Sequence, residues 1–282
     1  MHTFRDARLA VAHAHHAAPA EAHATEQNHL LRALPADEYA LLLQHLESVE
    51  LSAKLVLWRP EAPIHSVYFP RTAVMSLLTP LANQPAVEAA TVGREGIVGT
   101  PVVLGVRTTG VQTVVQIAGT AGRMDADRFT DLLHAPNGAL FPLLLRHAQA
   151  LYEQTAQSVA CNRRHEVDER CARWLLMTHD RVGADEFNLT HQFLALMLGV
   201  RRAGVTVALG TLQRAGLISN GRGTISVIDR EGLEAASCEC YDSVRRRYAL
   251  LLGDRLTLAG AASRSGCEPV QATVRESTVP TM

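Results

Sequence analysis

The sequence predicts an α+β chain in which an N-terminal antiparallel β-roll is followed by a long helix and a C-terminal helix-turn-helix with a β-hairpin. Short β-rich runs divided by Pro and Gly fill residues 50–124, and helical spacing begins at residue 125. Two short helical segments then precede Asn220-Gly221, a dipeptide that is the strongest short signal for a hairpin turn. With 282 residues and 47% hydrophobic content, the chain can bury the cores of one large or two ordinary domains.

Charge and cysteine content limit the class of protein further. The chain has 27 Lys+Arg against 28 Asp+Glu, a net charge of −1, which argues against nucleic-acid binding through bulk charge alone. It has no secretory signal and no apolar run near the ~18–20 residues that span a bilayer, so we expect no membrane partner. Five scattered cysteines do not form a disulfide framework in a chain of this length. These features predict a soluble, cytoplasmic protein.

The predicted β-roll occupies residues 28–135 and follows a His- and Ala-rich tail at residues 1–27. We expect this tail to be disordered and assign it no function. Leucines at helical spacing on both sides of Pro35 predict two short helices before the roll. The clearest β-rich runs are residues 55–58, 67–69, 87–91 and 111–117. The last of these alternates like a half-buried strand, and seven or eight such strands predict a small barrel or roll.

A single long helix is predicted over residues 136–162. One stripe of this helix has 4-3-4-3-4 spacing, which is typical of the seam between two paired helices. The stripe consists of Leu144, Ala148, Leu151, Thr155, Ser158 and Asn162. Its Thr, Ser and Asn are unlike a monomeric core, so we interpret it as a dimer helix, with a core helix as the alternative.

Residues 163–236 carry the pattern of a winged helix-turn-helix. Ala195 is small where the two helices would cross, Gly199 supplies the backbone freedom of the turn, and Val205 anchors the second helix. The region before the hairpin is predicted to be all helical, and the hairpin at residues 217–228 supplies the wing. A final helix is predicted at residues 230–252, and residues 237–282 then comprise the end of this helix and a disordered tail.

The local charge of this region agrees with a DNA-facing surface. Residues 188–228 contain four arginines and no acidic residue, a net charge of +4 inside a chain of −1. Thr190 is placed to cap the first helix, where its hydroxyl and the following amides can meet a phosphate. The predicted DNA contacts are Thr190, His191, Gln192, Arg201, Arg202, Ala203, Thr206 and Arg222. An ordinary αα-corner is the alternative interpretation.

The order of β-roll, long helix and winged helix-turn-helix resembles the Crp/Fnr family of bacterial transcription regulators over residues 28–236. The strongest matches are Thr190-His-Gln-Phe-Leu-Ala-Leu-Met-Leu-Gly199 and the Leu217-Ile-Ser start of the wing. The resemblance implies a cyclic-nucleotide-binding-like jelly roll that senses a ligand, a dimerisation helix, and a recognition helix in the major groove. It also implies three partners, namely double-stranded promoter DNA with an inverted repeat, a second copy of the chain, and RNA polymerase.

The region of the roll that would bind an effector differs in sequence from the same region in the family members that bind cyclic AMP. Those members hold the ribose with a Glu, where this chain has Thr100, and the phosphate with an Arg, where it has residues near Val111. A buried cyclic phosphate would therefore lack its bidentate partner, so we do not expect ordinary cyclic AMP binding and leave the effector unidentified. The candidate pocket residues are Glu95, Gly96, Gly99, Thr100, Arg107, Gln112, Thr113 and Thr155.

The recognition helix departs from the cyclic AMP receptor protein as well. Arg202 matches a base-reading arginine, but Ala203 and Val207 replace its Glu neighbour and its second Arg. A different operator sequence is one consequence. The alternative is a ligand-binding or interaction module of the same fold without base-specific DNA readout.

The sequence gives little support for an iron–sulfur cluster, a metal site or an enzymatic activity. No cysteine precedes Cys161, whereas the oxygen sensors of the resembled family keep most of their iron–sulfur ligands near the N-terminus, so we do not expect such a cluster. Cys161 and His165 could share a ligand, with Cys171 as a third candidate, and a haem or metal sensor could use Cys161 or His165. We interpret them as ordinary helix residues without a metal. Cys238-x-Cys240 is interpreted as structural or incidental. Since no catalytic motif is present, we expect no enzyme and no catalytic residues.

Overall fold

The computed structural model describes residue 23 and residues 26–136, 138–221 and 223–253. The predicted tails fall largely outside these residues. The first described elements are α1 (His29–Arg32) and α2 (Ala36–Leu43), separated at Pro35 as the leucine spacing predicted. The side-chain oxygen of Asn28 accepts a hydrogen bond from the backbone of Leu31 and so caps α1.

Seven strands then form the roll, as predicted. They are β1 (Glu47–Leu51), β2 (Val56–Trp58), β3 (Ser66–Pro70), β4 (Val74–Leu81), β5 (Gln84–Val92), β6 (Gln112–Ile117) and β7 (Gly119–Asp125). They make two antiparallel sheets with the strand orders β1-β7-β3 and β2-β6-β4-β5. The short helix α3 (Thr100–Val103) lies between β5 and β6. The α+β class with an N-terminal antiparallel roll is confirmed.

The expectation that β6 is half-buried is wrong. Residues 113–117 of this strand are all buried. The reason is that β6 is an inner strand between β2 and β4, and a helix of the C-terminal half covers one of its faces. Gln116 donates a hydrogen bond from Nε2 to Thr178 Oγ1 of that helix at 3.3 Å, so its polar side chain is satisfied although it is buried.

The predicted helical stretch after the roll is two helices, α4 (Ala126–Leu133) and α5 (Leu140–Arg164). Asp125 caps α4 through its carboxylate, and α5 has 25 residues. The dimer stripe predicted on α5 needs correction, because Leu144, Leu151 and Ser158 are buried against the rest of the same chain. Ala148 and Thr155 are half-buried, and only Asn162 is exposed. Most of this stripe is therefore an intramolecular packing surface.

The C-terminal half contains the winged helix-turn-helix. Its elements are α6 (Val167–Val182), β8 (Glu186–Asn188), α7 (His191–Leu198), α8 (Arg202–Arg214), β9 (Ile218–Asn220) and β10 (Thr224–Val227). β8 corrects the expectation of an all-helical segment before the hairpin, since it pairs with β10 and makes the wing a three-stranded sheet in the order β8-β10-β9. A strand of three residues is too short to give a periodic signal in the sequence.

The single final helix that the sequence predicted is two helices, α9 (Arg230–Ala236) and α10 (Cys240–Leu252). The chain turns at Ser237, whose backbone is extended, and α10 then packs across α5. Along the described stretches, no single helix is long and apolar enough to cross a membrane. Only α7 and α8 together reach that length and apolarity, and they are bent by 107°.

Candidate nucleic-acid interface and ligand cavity

The 107° bend between α7 and α8 has the geometry of a helix-turn-helix. Gly199 ends α7 in the left-handed region with φ of 64°, a conformation that a residue with a Cβ adopts at a cost. Ala195 is buried where the helices meet, and Val205 and Leu209 anchor α8 in the core. The residues that the sequence assigned to this motif therefore hold the predicted places.

Two of the predicted DNA contacts begin α7. Thr190 is the exposed N-cap residue, and its Oγ1 accepts a hydrogen bond from the Phe193 backbone at 3.2 Å. Gln192 is also exposed in the first turn. The remaining amides of this turn, together with the helix dipole, favour a phosphate oxygen at this end of α7.

The solvent face of α8 is formed by residues predicted to contact DNA. Arg201 is the residue before the helix and Arg202 is its first residue, and both are exposed together with Ala203 and Thr206. Neither arginine makes a side-chain hydrogen bond or an ion pair to another residue in the described ranges. Their guanidinium groups are therefore available for an external anion or base edge.

Gly204 places no side chain on the solvent face of α8. A Cβ built on Gly204 would meet no heavy atom within 4 Å, so packing inside the chain does not require a glycine here. Glycine in a helix interior costs about 1 kcal/mol relative to alanine. The close approach of a neighbouring helix, one explanation for this glycine, is thereby excluded among the described residues.

His191 joins both helices to the wing. Its Nδ1 lies 3.0 Å from Thr206 Oγ1 on α8, and its Nε2 lies 2.9 Å from Asn220 Nδ2 on β9. Because the Thr206 hydroxyl already donates to the Arg202 carbonyl, it accepts from Nδ1–H, and Nε2 then accepts from the Asn220 amide. His191 thus positions the recognition surface instead of extending from it. Arg222, the predicted contact of the wing, lies outside the described residues.

A cavity of about 360 Å³ lies between the roll and α5. Its walls are mainly apolar, and its polar groups are mostly hydroxyls. The hydroxyl-bearing lining residues are Thr79, Thr100, Thr109, Thr113, Thr155 and Tyr152. No Asp, Glu, Lys, Arg or His of the described residues lines the cavity. A phosphate group would find no cationic side chain in this lining.

Two polar atoms of the cavity residues are buried without a hydrogen-bond partner in the described chain. They are the Nε1 of Trp58 on β2 and the Oγ1 of Thr113 on β6. Buried polar groups in native proteins are almost always paired, so these two atoms are candidates for a contact with a molecule bound in the cavity. Trp58 was missed by the sequence analysis because a tryptophan in a β-rich run is most simply read as core.

Four of the eight predicted pocket residues line the cavity, namely Gly99, Thr100, Thr113 and Thr155. The other four do not. Glu95 is buried in an ion pair with Arg181 of α6, and Gly96 packs against the ring of His147. Arg107 pairs with Asp127 on the surface, and Gln112 is outside the lining. The tight turn of the loop after β5 directs the Glu95 carboxylate away from the cavity, as its contacts with the Gly93 amide show.

The outward face of α5 carries an apolar stripe that the sequence analysis missed. Leu145, Tyr152 and Val159 are 42%, 69% and 68% exposed and recur every seven residues. A seven-residue repeat returns to nearly the same side of a helix, so the three side chains form one continuous strip. This strip lies one residue along the helix from the stripe that the sequence singled out, whose Leu144, Leu151 and Ser158 are buried.

Comparison with known proteins agrees with this architecture. Residues 169–236 match the family description "Crp-like helix-turn-helix domain". FixK2 from Bradyrhizobium japonicum is similar in structure with a TM-score of 0.59 and 15% identity, over 68% of this chain and 98% of that one. The CRP-family transcriptional regulator TTHB099 from Thermus thermophilus has a TM-score of 0.55 and 15% identity, over 67% and 95%. No curated protein matches the sequence.

A third similar structure is the c-di-GMP-responsive global regulator CLP of Xanthomonas campestris, with a TM-score of 0.50 and 18% identity, over 68% of this chain and 99% of that one. The described chain therefore has the fold of Crp/Fnr transcription regulators, which joins a β-roll to a DNA-binding domain of the helix-turn-helix class. Within that class, residues 169–236 are a Crp-like helix-turn-helix domain. The resemblance drawn from the sequence is confirmed for the fold and for the helix-turn-helix domain.

Proposed function

We propose that this protein is a homodimeric transcription regulator that recognises an inverted-repeat operator through α8 and responds to an uncharged ligand in the roll. The single observation that carries the proposal is the exposed start of α8. Arg201 and Arg202 are exposed there without a side-chain partner among the described residues, inside a stretch that contains no acidic residue.

Base reading is assigned to α8 because a helix fits the major groove and its N-terminal residues reach the base edges. Arg202 can bind guanine through two hydrogen bonds, and Thr206 can contact either a base or a thymine methyl group. Thr190 and the first amides of α7 supply phosphate contacts that set the register. RNA polymerase is the expected partner of the DNA-bound protein, and such a regulator works in the cytoplasm.

Dimerisation is assigned to the exposed strip of Leu145, Tyr152 and Val159 on α5. Two parallel copies of this helix would bury the strip against each other and relate the chains by a twofold axis. The two recognition helices would then lie about 34 Å apart, one turn of DNA, and would read an inverted repeat. This register replaces the one that the sequence favoured.

The effector class follows from the lining of the cavity. An uncharged, largely apolar molecule of modest size suits walls without a charged side chain. It should carry an acceptor for Trp58 Nε1 and a polar atom for Thr113 Oγ1, the two buried atoms that lack a partner. Because Tyr152 and Thr155 of α5 also line the cavity, a bound ligand would contact the dimer helix directly and could bias its arrangement.

The test of DNA reading is a selection of genomic fragments by the purified full chain at near-physiological salt. We expect an inverted repeat to be recovered. The double variant Arg201→Ala/Arg202→Ala should no longer capture fragments that contain this repeat, although it should still form the dimer. The matched control is Arg59→Ala/Arg128→Ala on the roll, which removes the same charge from exposed positions. Equal capture by both double variants would contradict the assignment of α8.

A second candidate function, an interaction module without base readout, is favoured by the exposed Ala203 and Val207 on the face of α8, the latter 64% exposed. The same selection separates the two functions. Weak capture of all sequences that disappears as salt is raised would support the module, because contacts to phosphates alone carry no sequence information.

The dimer is tested by sedimentation of Val159→Asp. We expect this variant to be monomeric, since a buried carboxylate would face its own copy across the twofold axis. Leu250→Asp on α10 is the control, because Leu250 is 71% exposed and lies outside the strip. A dimer that withstands Val159→Asp would show that α5 does not pair through this face.

A further inference from the structure

Three cysteines and a histidine from distant parts of the chain meet beside the end of α5. Cys161 lies in the last turn of α5 and His165 is its C-cap residue. Cys238 and Cys240 lie at the turn between α9 and α10. The three sulfurs and one ring nitrogen all lie within 4.8 Å of one another, and the three cysteines are buried.

We propose that these four residues form a binding site for a single Zn²⁺ ion that fastens α10 to α5. Zinc binds thiolate sulfur at about 2.3 Å and imidazole nitrogen at about 2.0 Å in tetrahedral sites, which places two sulfurs ~3.8 Å apart. Cys161 Sγ and Cys238 Sγ are 3.5 Å apart, and His165 Nδ1 and Cys240 Sγ are also 3.5 Å apart. Small side-chain adjustments bring all four atoms to a common ion.

Neighbouring side chains contact His165 and Cys240 in the way that side chains around a metal site usually contact its ligands. His165 presents Nδ1 to the cysteines, and its Nε2 lies 3.2 Å from Glu239 Oε2. A carboxylate on the far nitrogen of a metal-binding histidine fixes its tautomer and orientation. Gln157 Nε2 lies 2.9 Å from Cys240 Sγ and donates to the sulfur, a contact that stabilises a thiolate.

Two buried guanidinium groups next to the four residues favour a bound ion with thiolate ligands. Arg170 and Arg173 of α6 are buried, and each interacts electrostatically with Cys161 and with Cys238. Neither makes an ion pair with a carboxylate in the described residues, and the Nε of each has no hydrogen-bond partner. One Zn²⁺, three thiolates and a neutral imidazole have a net charge of −1, which would compensate buried guanidinium groups.

The two obvious alternatives fit the arrangement less well. Four ligand atoms this close leave room for one ion, whereas in an iron–sulfur cluster each iron takes its own thiolate from a different side. A Cys161–Cys238 disulfide would leave His165 and Cys240 without a role and would suit an oxidising compartment. Cys171, which the sequence grouped with Cys161 and His165, is not one of the four.

The site is independent of the proposed DNA and effector functions, because none of its ligands belongs to either surface. It lies close to the helix-turn-helix nonetheless, since Arg170 also donates a hydrogen bond to the Leu198 carbonyl at the end of α7. The sequence showed Cys161 with His165 and Cys238 with Cys240 as two separate pairs. It could not show that the pairs meet, because 77 residues separate Cys161 from Cys238 and only the packing of α10 on α5 brings them together.

The experiment is metal analysis of the full chain purified under reducing conditions from cells supplied with zinc. We expect one zinc per chain in the wild type and in Cys171→Ser, the control for a cysteine that is not one of the four, and almost none in Cys238→Ser. A zinc-free wild type titrated with Co²⁺ should develop the visible and near-ultraviolet absorption of a tetrahedral thiolate complex. This readout stands even if Cys238→Ser fails to fold.

A milder variant tests the geometry. Glu239→Gln should lower zinc affinity by roughly 10-fold or more, because the Glu239 carboxylate orients His165. Glu231→Gln, at an exposed position on α9, should leave the affinity unchanged. A wild type that carries no zinc and gives no Co²⁺ spectrum would overturn the proposal. So would zinc retained at one per chain in Cys238→Ser, or a purified wild type lighter by two hydrogens because Cys161 and Cys238 are oxidised to a disulfide.

Discussion

Arg181 of α6 and Glu95 of the loop after β5 form an ion pair whose side chains are both completely excluded from solvent. The Nε–Oε1 distance is 2.8 Å. Arg181 also donates to the carbonyl of Met177 and, at 3.0 Å, to Oε1 of Gln154 on α5, which accepts from the Tyr248 hydroxyl of α10 at 3.1 Å. One network thus connects the roll, the long helix, the DNA-binding domain and the last helix.

We expect Glu95→Ala to destabilise the protein by about 3–5 kcal/mol, because it leaves the Arg181 guanidinium buried and unpaired. Urea unfolding at pH 7 measures this loss. The control is Glu50→Ala on β1, where an exposed carboxylate should contribute less than about 0.5 kcal/mol. Equal midpoints for the two variants would show that the ion pair does not hold the domains together.

Glu88 on β5 should make the protein less stable as the pH rises. Its carboxyl oxygens lie 2.6 Å from Ser76 Oγ and 2.8 Å from Trp174 Nε1 of α6, and burial raises the pKa of Glu88 to about 7. The hydrogen bonds from Ser76 and Trp174 and the charges of Arg173 and Arg181 act in the opposite direction but are smaller. Folding therefore favours the protonated carboxyl.

The sign follows from the two pKa values of Glu88. Below about pH 4.5 both states are protonated, whereas between about 4.5 and 7 the unfolded chain loses a proton that the folded chain keeps. The stability should fall by about 2 kcal/mol between pH 5 and pH 7.5, measured by urea unfolding at several pH values. Glu88→Gln should abolish this component. A variant with the same pH dependence as the wild type would refute the assignment.

His147 on α5 should make the protein less stable as the pH falls. Burial lowers the pKa of His147 to about 4, and neither of its ring nitrogens has a hydrogen-bond partner among the described residues. As the pH falls below about 6.5, the unfolded chain gains a proton that the folded chain excludes, so stability falls. His147→Leu should gain about 2 kcal/mol relative to the wild type on going from pH 7.5 to pH 5. The exposed His45, changed to Gln, should show no such gain.

The cavity predicts a substitution that stabilises the ligand-free protein. Thr113→Val removes a buried hydroxyl without a partner and should raise the free energy of unfolding by about 1 kcal/mol. Thr72→Val is the contrast, because Thr72 Oγ1 accepts a hydrogen bond from the Thr120 amide at 2.9 Å, so its loss should lower stability by about as much. If Thr113→Val is the more damaging variant in ligand-free protein, its hydroxyl is already satisfied.

Local patterns predicted the DNA-binding region well. Thr190, Gly199 and Val205 each do what their residue type does at that place in a helix-turn-helix, namely cap, turn and anchor. The three residues lie within one short stretch, so the sequence contains the whole geometric relationship. The stripe on α5 was harder, since Leu144 and Leu145 are both apolar and only the packing of the roll decides which one is buried.

The sequence by itself determined the order of the elements and the acid-free stretch that contains α8. These features depend on residues close together in the chain, where periodicity, turn residues and local charge act directly. Only the tertiary structure decided that Glu95 pairs with Arg181 and that Cys161 meets Cys238. Such pairs join residues 86 and 77 positions apart, and the burial that brings them together is a property of the packed core as a whole.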